Sequence, residues 1–201
     1  MSIIIPDGGT IGSASDTDAI SIASDGNVTL SQTNPTITLG SNATFPAGFV
    51  LQQKSTFYTA NTSFTGTSAI SQIAVTITNL TAGSDVLILA SASASASNGT
   101  RYGFYVSKSG TTALTGNIAD ASGTAPRPRL SVASSGLGGN ILASHSFFNL
   151  DESVSAGSST YTLVGFVEGS ETCKINRSDS DSDSATVPRG VSSITVLEIA
   201  Q

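Results

Sequence analysis

Residues 72–78 run Gln72-Ile73-Ala74-Val75-Thr76-Ile77-Thr78, an alternation of bulky apolar side chains with small or polar ones. A period of two residues sends successive side chains to opposite faces of a β-strand, so this stretch predicts a strand with one buried face. Residues 36–39 and 194–199 alternate in the same way, and in the second of these Glu198 falls on the same face as Ile194 and Val196. The dominant pattern of the chain is therefore that of β-structure.

Further strand candidates are bounded by clusters of Gly, Asn, Asp and Ser, which are typical of turns. They are 49–53, 86–94, 101–106, 129–133, 145–150, 161–167 and 173–177. No window of a dozen residues carries a helical apolar stripe, and dense Thr and Val disfavour helix. We predict an all-β fold, an antiparallel β-sandwich of jelly-roll-like form. The expected core is Ile73, Val75, Ile77, Val86, Ile88, Leu163, Phe166, Ile175, Ile194 and Val196.

The sequence predicts two regions of different character. Residues 1–44 carry only short apolar pairs, Ile20 with Ile22 and Val28 with Leu30, which is too little to form a core alone. We therefore predict a short N-terminal arm over 1–44, buried by a neighbouring surface, and a sandwich domain over 45–201. Residues 91–97 alternate Ser and Ala, which is typical either of a low-complexity segment or of a strand extension whose small residues suit an interface.

Composition excludes several classes of protein. The 201 residues include 35 Ser and 25 Thr, while only 11% are charged. With eight Lys plus Arg and a net charge of −6, the chain lacks the basic surface that nucleic acid requires. The single cysteine, Cys173, excludes an intrachain disulfide framework and a Cys-ligated zinc site. We expect no signal peptide and no membrane insertion, because no apolar stretch has the length or flanks of either.

The residues that could support catalysis do not form a recognisable motif. His145, the only histidine, would have to serve as the base of a Ser/His/Asp triad, but no Gly-x-Ser-x-Gly turn supplies a nucleophile. The favoured interpretation is a sheet histidine whose ring is hydrogen-bonded or exposed. Glycoside hydrolysis needs a pair of carboxylates at a defined separation, which a sequence does not give. The loosely placed acids are Asp151, Glu152, Glu168, Glu171 and Glu198. We predict no catalytic residues, no cofactor and no enzymatic activity.

Two local patterns resemble ligand sites only in part. Residues 178–184 alternate Ser with Asp179, Asp181 and Asp183, and these carboxylates are weak candidates for Ca²⁺ ligands. The EF-hand frame is absent, since its glycine and its final glutamate are missing, so a solvated surface loop is the favoured interpretation. Residues 135–140 are glycine-rich, but no Lys-Ser/Thr follows them, and we predict a flexible turn rather than a phosphate cradle.

Three stretches resemble a group of bacteriophage virion proteins, especially of marine and freshwater phages, often described as tail-fibre or structural proteins. Residues 12–30 resemble the short N-terminal module of that group, and 45–52 resemble its first strand, although Phe49 stands where His is common. Residues 175–199 resemble its C-terminal signature, from Ile175-Asn176-Arg177-Ser178 through Pro188-Arg189 to the final strand. The resemblance reaches both ends of the 45–201 region.

The resemblance implies a virion structural protein that assembles as a homotrimer with itself and with other virion proteins, in a particle made in the host cytoplasm. A tail fibre or appendage that contacts a host surface glycan or protein is the first interpretation. The alternative is a capsid decoration protein that stabilises the shell through the same arm. A carbohydrate-active enzyme is the third, and it would need two carboxylates in one groove.

Overall fold

The computed structural model describes residues 10–13, 16–22, 24–25, 27–30, 45–108, 113–114, 130–180 and 187–201. In those residues the chain forms β-strands and no helix, and every strand pairing is antiparallel. The chain divides into two units between Thr44 and Phe45. In the first unit, three strands form a small sheet in the order β1-β2-β3. These strands are β1 (Thr10–Ser13), β2 (Asp16–Ile22) and β3 (Val28–Leu30).

The second unit contains two sheets. Its strands are β4 (Val50–Tyr58), β5 (Thr62–Thr65), β6 (Thr67–Leu80), β7 (Asp85–Ala96), β8 (Arg101–Ser107), β9 (Val132–Ser135), β10 (Ala143–Asp151), β11 (Gly157–Val167), β12 (Thr172–Ile175) and β13 (Ser192–Ile199). The first sheet has the order β4-β13-β7-β12-β5, with β10 paired to β7, and the second has the order β6-β11-β8-β9. Because β10 occupies one edge of β7 over Val86 to Ala94, β13 and β12 share the other edge.

The core lies between these two sheets, which confirms the predicted all-β antiparallel sandwich. Ile73, Val75 and Ile77 of β6 face Val86 and Ile88 of β7 in one apolar cluster. Nine of the ten expected core residues are buried there. They are Ile73, Val75, Ile77, Val86, Ile88, Leu163, Ile175, Ile194 and Val196.

The core assignment of Phe166 is wrong. The neighbours of Phe166 on either side, Gly165 and Val167, are buried, and Val167 belongs to the core cluster together with Leu163. Alternation along β11 therefore directs Phe166 to the opposite face of the strand, where it is half-buried. The run Leu163-Val164-Gly165-Phe166-Val167 is apolar at almost every position, so its sequence alone did not indicate which face is internal.

Most of the predicted strands in the second unit lie within observed ones. The strand predicted over 173–177 ends earlier, at Ile175, because Asn176 adopts a left-handed backbone with φ of 61°. The strand predicted over 129–133 begins at Val132, and position 129 lies outside the described residues, as does the whole of 36–39. The alternation pattern did not predict β5, whose only large apolar side chain is Phe64, or the strands β1 to β3.

The Ser/Ala alternation of residues 91–97 continues strand β7, so the strand extension is the correct interpretation. Ala92, Ala94 and Ala96 are fully buried in the core cluster, where the Tyr102 hydroxyl approaches the Ala94 carbonyl oxygen at 3.5 Å. On the other face, Ser93 and Ser95 donate hydrogen bonds to the carbonyl groups of Val191 and Arg177. The small residues of this segment are thus packed and hydrogen-bonded within the chain itself.

Candidate functional site

His145 occupies a structural position inside the sandwich. It lies on β10 opposite Ala92, its Nε2 is 3.1 Å from the Tyr102 hydroxyl, and its ring packs against the rings of Tyr102 and Phe104. Burial lowers the pKa of His145 below its ordinary value, which favours the neutral imidazole. The predicted sheet histidine with a hydrogen-bonded ring is confirmed.

Three of the five loosely placed acids, Asp151, Glu168 and Glu198, accept hydrogen bonds from protein donors. Asp151 Oδ2 accepts a hydrogen bond from the Tyr161 hydroxyl at 2.6 Å and forms an ion pair with the Lys108 ammonium at 2.8 Å. Glu168 receives the backbone N–H of Arg101 at 2.8 Å and its guanidinium at 3.3 Å. Each of these carboxylates therefore ties strands or turns together, while Glu152 and Glu171 are exposed.

Among these five acids, Glu198 accepts the most hydrogen bonds. Its side chain is only 1% exposed on β13, and Oε1 accepts hydrogen bonds from the Thr81 N–H at 2.6 Å and the Ser84 hydroxyl at 2.8 Å. Oε2 accepts a third from the Gln52 amide at 2.6 Å. Burial by itself raises the pKa of Glu198, but these donors outweigh it and hold the pKa below the ordinary value. The carboxylate thus joins β4 and the β6–β7 turn to β13.

The Ser-Asp run is described only at its beginning. Asp179 forms an ion pair with Lys174 at 3.0 Å, and the Lys174 ammonium also donates to the Asp179 carbonyl. Asp181 and Asp183 lie outside the described residues. Among the residues that the structure does describe, no group of three or more His, Cys, Asp or Glu side chains is arranged to hold a metal ion.

The glycine-rich segment at 135–140 forms a turn, as predicted. Gly138 and Gly139 have positive φ angles of 66° and 58°, which glycine adopts without steric cost. The Gly136 N–H donates to the Thr100 carbonyl, and the Gly136 carbonyl accepts from the Gly99 N–H. The segment therefore closes against the β7–β8 turn through its backbone.

Asn176 is a buried polar residue whose role the sequence did not indicate. Its Nδ2 donates to the carbonyl groups of Tyr58 at 2.6 Å and Ala60 at 2.8 Å, and its Oδ1 accepts from the Ser192 hydroxyl at 2.7 Å. Ser192 in turn accepts the N–H of Ser93 at 3.0 Å. Asn176 thus connects the β4–β5 loop with β13 and, through Ser192, with β7. No local pattern indicates such a role, because its partners are distant in sequence.

Asn149, in contrast to Asn176, has a buried side-chain amide without hydrogen-bond partners. It lies on β10 opposite Ile88, it is fully buried, and neither side-chain polar atom has a hydrogen-bond partner. A buried amide without partners costs free energy, because it has lost its hydrogen bonds to water. The side-chain amide of Asn149 therefore contributes no hydrogen bond to the stability of the sandwich, although the residue pairs with Ile88 in the ladder of β10 and β7.

The outward face of the first sheet carries exposed aromatic and aliphatic side chains. Phe148 is 67% exposed and Phe57 is 69% exposed, and Leu89 is exposed between them. A shallow groove of about 370 Å³ crosses this face, and it is lined by Leu89, Ser91, Ser146, Phe148, Ser193 and Thr195, among others. In a two-sheet sandwich the outward positions are usually polar, so these apolar side chains are a candidate interaction surface.

In the described part of the chain, no helix has the length and hydropathy needed to span a bilayer.

The chain has matches among solved structures but none among family models or curated proteins. No family model matches the chain, and no curated protein matches it. Among solved structures, the infectious bursal disease virus Gx strain aligns over 83% of this chain and 41% of its own, with 15% identity and a TM-score of 0.33. T=1 particles derived from the same virus align over 92% of this chain and 47% of theirs, with 11% identity and a TM-score of 0.37.

The chain spans less than half the length of these viral chains. Identities and TM-scores of this size are too low to establish a shared topology.

Proposed function

We propose that this chain is a non-enzymatic structural protein of a virion, and that it forms part of a tail fibre or appendage that contacts the host surface. The observation that carries the proposal is the resemblance of residues 45–52 and 175–199 to phage virion proteins. In the folded chain these segments contribute Gln52, Asn176, Ser192 and Glu198, which form the buried hydrogen bonds that join β4, β7 and β13. The resemblance therefore falls on residues that hold the fold together.

The surroundings of the acids and the histidine support a structural role. Asp151, Glu168 and Glu198 each accept hydrogen bonds from protein donors, and His145 is paired with Tyr102 inside the sandwich. A general acid or base must instead reach a substrate at hydrogen-bonding distance. These side chains are already used by the fold, which favours a protein whose task is stable presentation of loops.

The experiment that tests this proposal is localisation and counting of the chain in purified particles. Quantitative mass spectrometry and electron microscopy with a labelled chain give its position and copy number. Copies in multiples of three or six on the tail are expected for a fibre, and copies in the hundreds on the shell would instead assign capsid decoration. Absence from purified particles would contradict both forms of the proposal.

Self-association into three copies, attachment to other virion proteins and contact with a host glycan or protein belong to the same proposal. A homotrimer is favoured by the resemblance, and a closed symmetric assembly would offer the N-terminal arm a surface on which to bury its apolar pairs. Carbohydrate-active catalysis is the competing function. A release of reducing sugar from host surface polysaccharide by the purified chain would replace the structural assignment.

A further inference from the structure

Strand β10 is joined to the first sheet by a single ladder. Among the described strands it pairs with β7 alone, from Ala143 opposite Ala94 to Asp151 opposite Val86, whereas β7 also pairs with β13 along its other edge. Loss of β10 would therefore leave the ladder of β7 and β13 intact. Parts of a protein with few buried apolar contacts open at a lower free energy than the whole molecule unfolds. The pairing thus allows β10 to separate while the rest of the sandwich stays folded.

The inward face of β10 adds little apolar burial to the core. From residue 145 to residue 151, the side chains that lie opposite buried positions of β7 are His145, Phe147, Asn149 and Asp151. Phe147 is the apolar member of this set, and it is only partly buried. Separation of the strand would return the unpartnered amide of Asn149 to water, where it regains hydrogen bonds. Three of the four inward side chains therefore give β10 little hydrophobic stabilisation.

The side-chain hydrogen bonds of β10 are shorter at its C-terminal end. There Asp151 accepts the Tyr161 hydroxyl at 2.6 Å and pairs with Lys108 at 2.8 Å. Near the other end, the hydroxyls of Ser144 and Ser146 lie 3.3 Å from those of facing serines on β7, which is longer than an ordinary O–H···O bond. Separation therefore begins most easily at the N-terminal end, which carries the histidine.

The ring of His145 joins β10 to the opposite sheet. It packs against the rings of Tyr102 and Phe104 at centroid distances of 5.4 and 5.8 Å, and its Nε2 lies 3.1 Å from the Tyr102 hydroxyl. A neutral imidazole can accept the hydroxyl hydrogen at Nε2, but both nitrogens of a protonated ring are donors. That hydrogen must then turn to the Ser134 hydroxyl or to the Ala94 carbonyl oxygen, which is 3.5 Å away. Protonation thus forces this aromatic cluster to rearrange.

The described groups around His145 do not compensate a positive charge. Burial by itself lowers the pKa of His145. Tyr102 on β8 faces the ring, and Cys173 on β12 acts on Tyr102, but burial raises the pKa of both groups and keeps them uncharged near neutral pH. An imidazolium at this place therefore meets neutral groups on the strands that face it.

The charged side chains of the surrounding strands lie elsewhere. On β7, β8, β10 and β12 they are Asp85, Arg101, Asp151 and Lys174. The two carboxylates are six or seven residues along their strands from the position of the histidine, which is roughly 20 Å at 3.3 Å per residue. Arg101 is paired with Glu168 at the surface. Separation of β10 would instead place the imidazolium in water.

We infer that β10 is a pH-sensitive edge strand, which separates from β7, beginning at its N-terminal end, when His145 is protonated. The ladder of β7 and β13 stays paired in the open form. The edge of β7 between Val86 and Ala94 then becomes available, and an unpaired strand edge can accept another strand. This property belongs to the chain itself and does not depend on the proposed role in a virion.

Linkage sets an upper limit on the size of the effect. In the open form His145 titrates near the ordinary histidine pKa of about 6.5, so the equilibrium constant for opening can rise at most about thirtyfold between pH 7.5 and pH 5. A smaller rise is expected because the closed form also binds some protons at pH 5. Most carboxylates remain ionised at that pH, since their ordinary pKa values are near 4.

The test is hydrogen exchange of the full chain, measured by mass spectrometry at pH 7.5 and pH 5 and corrected for the pH dependence of the intrinsic exchange rate. Protection of the β10 amides is expected to fall by about threefold to thirtyfold on acidification. Protection of the β13 amides is the control within the same molecule, and it should change by less than about twofold. Equal protection of β10 at both pH values, or an equal fall in β10 and β13, would overturn the inference.

Two variants of the histidine identify the group that binds the proton. His145→Gln keeps a hydrogen-bonding side chain near Tyr102, and His145→Phe keeps a ring, but neither side chain titrates. Both are expected to abolish the pH dependence of β10 protection, and thermal unfolding at pH 7.5 checks that each variant is folded. Ser144→Ala is the matched control on the same strand and should retain the pH dependence. Persistence of the response in both histidine variants, or its loss in Ser144→Ala, would show that His145 does not control the strand.

Discussion

At the scale of single residues, two buried asparagines differ in what surrounds them. Asn176 uses both amide hydrogens and its carbonyl oxygen in hydrogen bonds, whereas Asn149 uses none. Both are inaccessible to water, with Asn176 only 1% exposed. The same side chain therefore stabilises the sandwich at one position and destabilises it at the other, because the energy of a buried amide depends on its partners.

Replacement of each asparagine should show this difference in the free energy of unfolding. Asn176→Ala leaves two carbonyl groups and a hydroxyl without their partner and puts alanine in a left-handed backbone, so we expect a loss of roughly 2–4 kcal/mol. Asn149→Leu replaces an unpaired amide by an apolar group of similar size, and stability should stay equal or rise. Denaturant unfolding measures both. A large loss in Asn149→Leu would mean that the amide has a partner, such as a bound water.

The lowered pKa of Glu198 predicts how the stability of the folded chain depends on pH. Its pKa is held below the ordinary value in the folded chain, so its contribution is present above the ordinary glutamate pKa, near 4.3, and disappears as pH falls through the folded-state pKa. In Glu198→Gln, an NH₂ group must face existing donors, and we expect a loss of roughly 2 kcal/mol at neutral pH. As pH falls below the ordinary glutamate pKa and through the lower folded-state pKa of Glu198, the stabilities of variant and wild type should converge.

The comparison is made by thermal or urea unfolding of both proteins from pH 7 to pH 3. His145 also loses stabilisation on acidification, because its lowered pKa means that the unfolded chain binds the proton more readily. That effect begins at higher pH and is common to both proteins, so their difference isolates Glu198. A difference that does not change with pH would show that the carboxylate charge is not what stabilises the fold.

At the scale of elements, the contact between the sheets depends on a glycine in β11. A Cβ at Gly165 would lie 2.2 Å from Cζ of Phe64, which reaches from β5 and meets Phe104 of β8 edge to face at 6.2 Å. The phenyl ring therefore occupies the space that any larger residue at 165 would need. This close approach explains how the short strand β5, which the sequence pattern did not predict, is fixed to the opposite sheet.

Gly165→Ala is expected to destabilise the chain by roughly 1–3 kcal/mol, since the added methyl group displaces the Phe64 ring from its packed position. Phe64→Leu in the same chain should recover part of this loss, because the smaller side chain yields space. A double-mutant cycle measured by denaturant unfolding gives the coupling between the two positions. Strictly additive effects would argue that the ring does not determine the identity of residue 165.

At the scale of the whole molecule, the division between Thr44 and Phe45 sets the expected behaviour of a truncated chain. Among the residues whose burial the structure describes, the core cluster lies within 45–201, so deletion of residues 1–44 should leave that unit folded with a cooperative thermal transition. If the arm attaches the protein to the particle, the truncated chain should fail to incorporate into virions. Normal incorporation would transfer the attachment role to the sandwich, and a loss of cooperative unfolding would show that the core depends on the arm.

The sequence by itself determined the fold class, most strand positions and nine of the ten core residues. Alternation of side chains is a local property, and a strand such as 72–78 or 194–199 shows its buried face without reference to any partner. The same period placed Glu198 on the inward face together with Ile194 and Val196, which the structure confirms. In residues 163–167 of β11, where both faces are apolar, the local signal was ambiguous and Phe166 was misassigned.

Only the tertiary structure decided which partners hold the buried polar residues. The hydrogen-bond partners of Asn176 are residues 58, 60 and 192. Those of Glu198 are residues 52, 81 and 84. Both sites therefore form only when strands that are distant in sequence pair. The exposed outward face with Phe57, Leu89 and Phe148 likewise exists only once four strands are in register. A sequence states which side chains are available, but strand order and register determine which of them meet, because hydrogen bonds and packing act over a few ångströms in space.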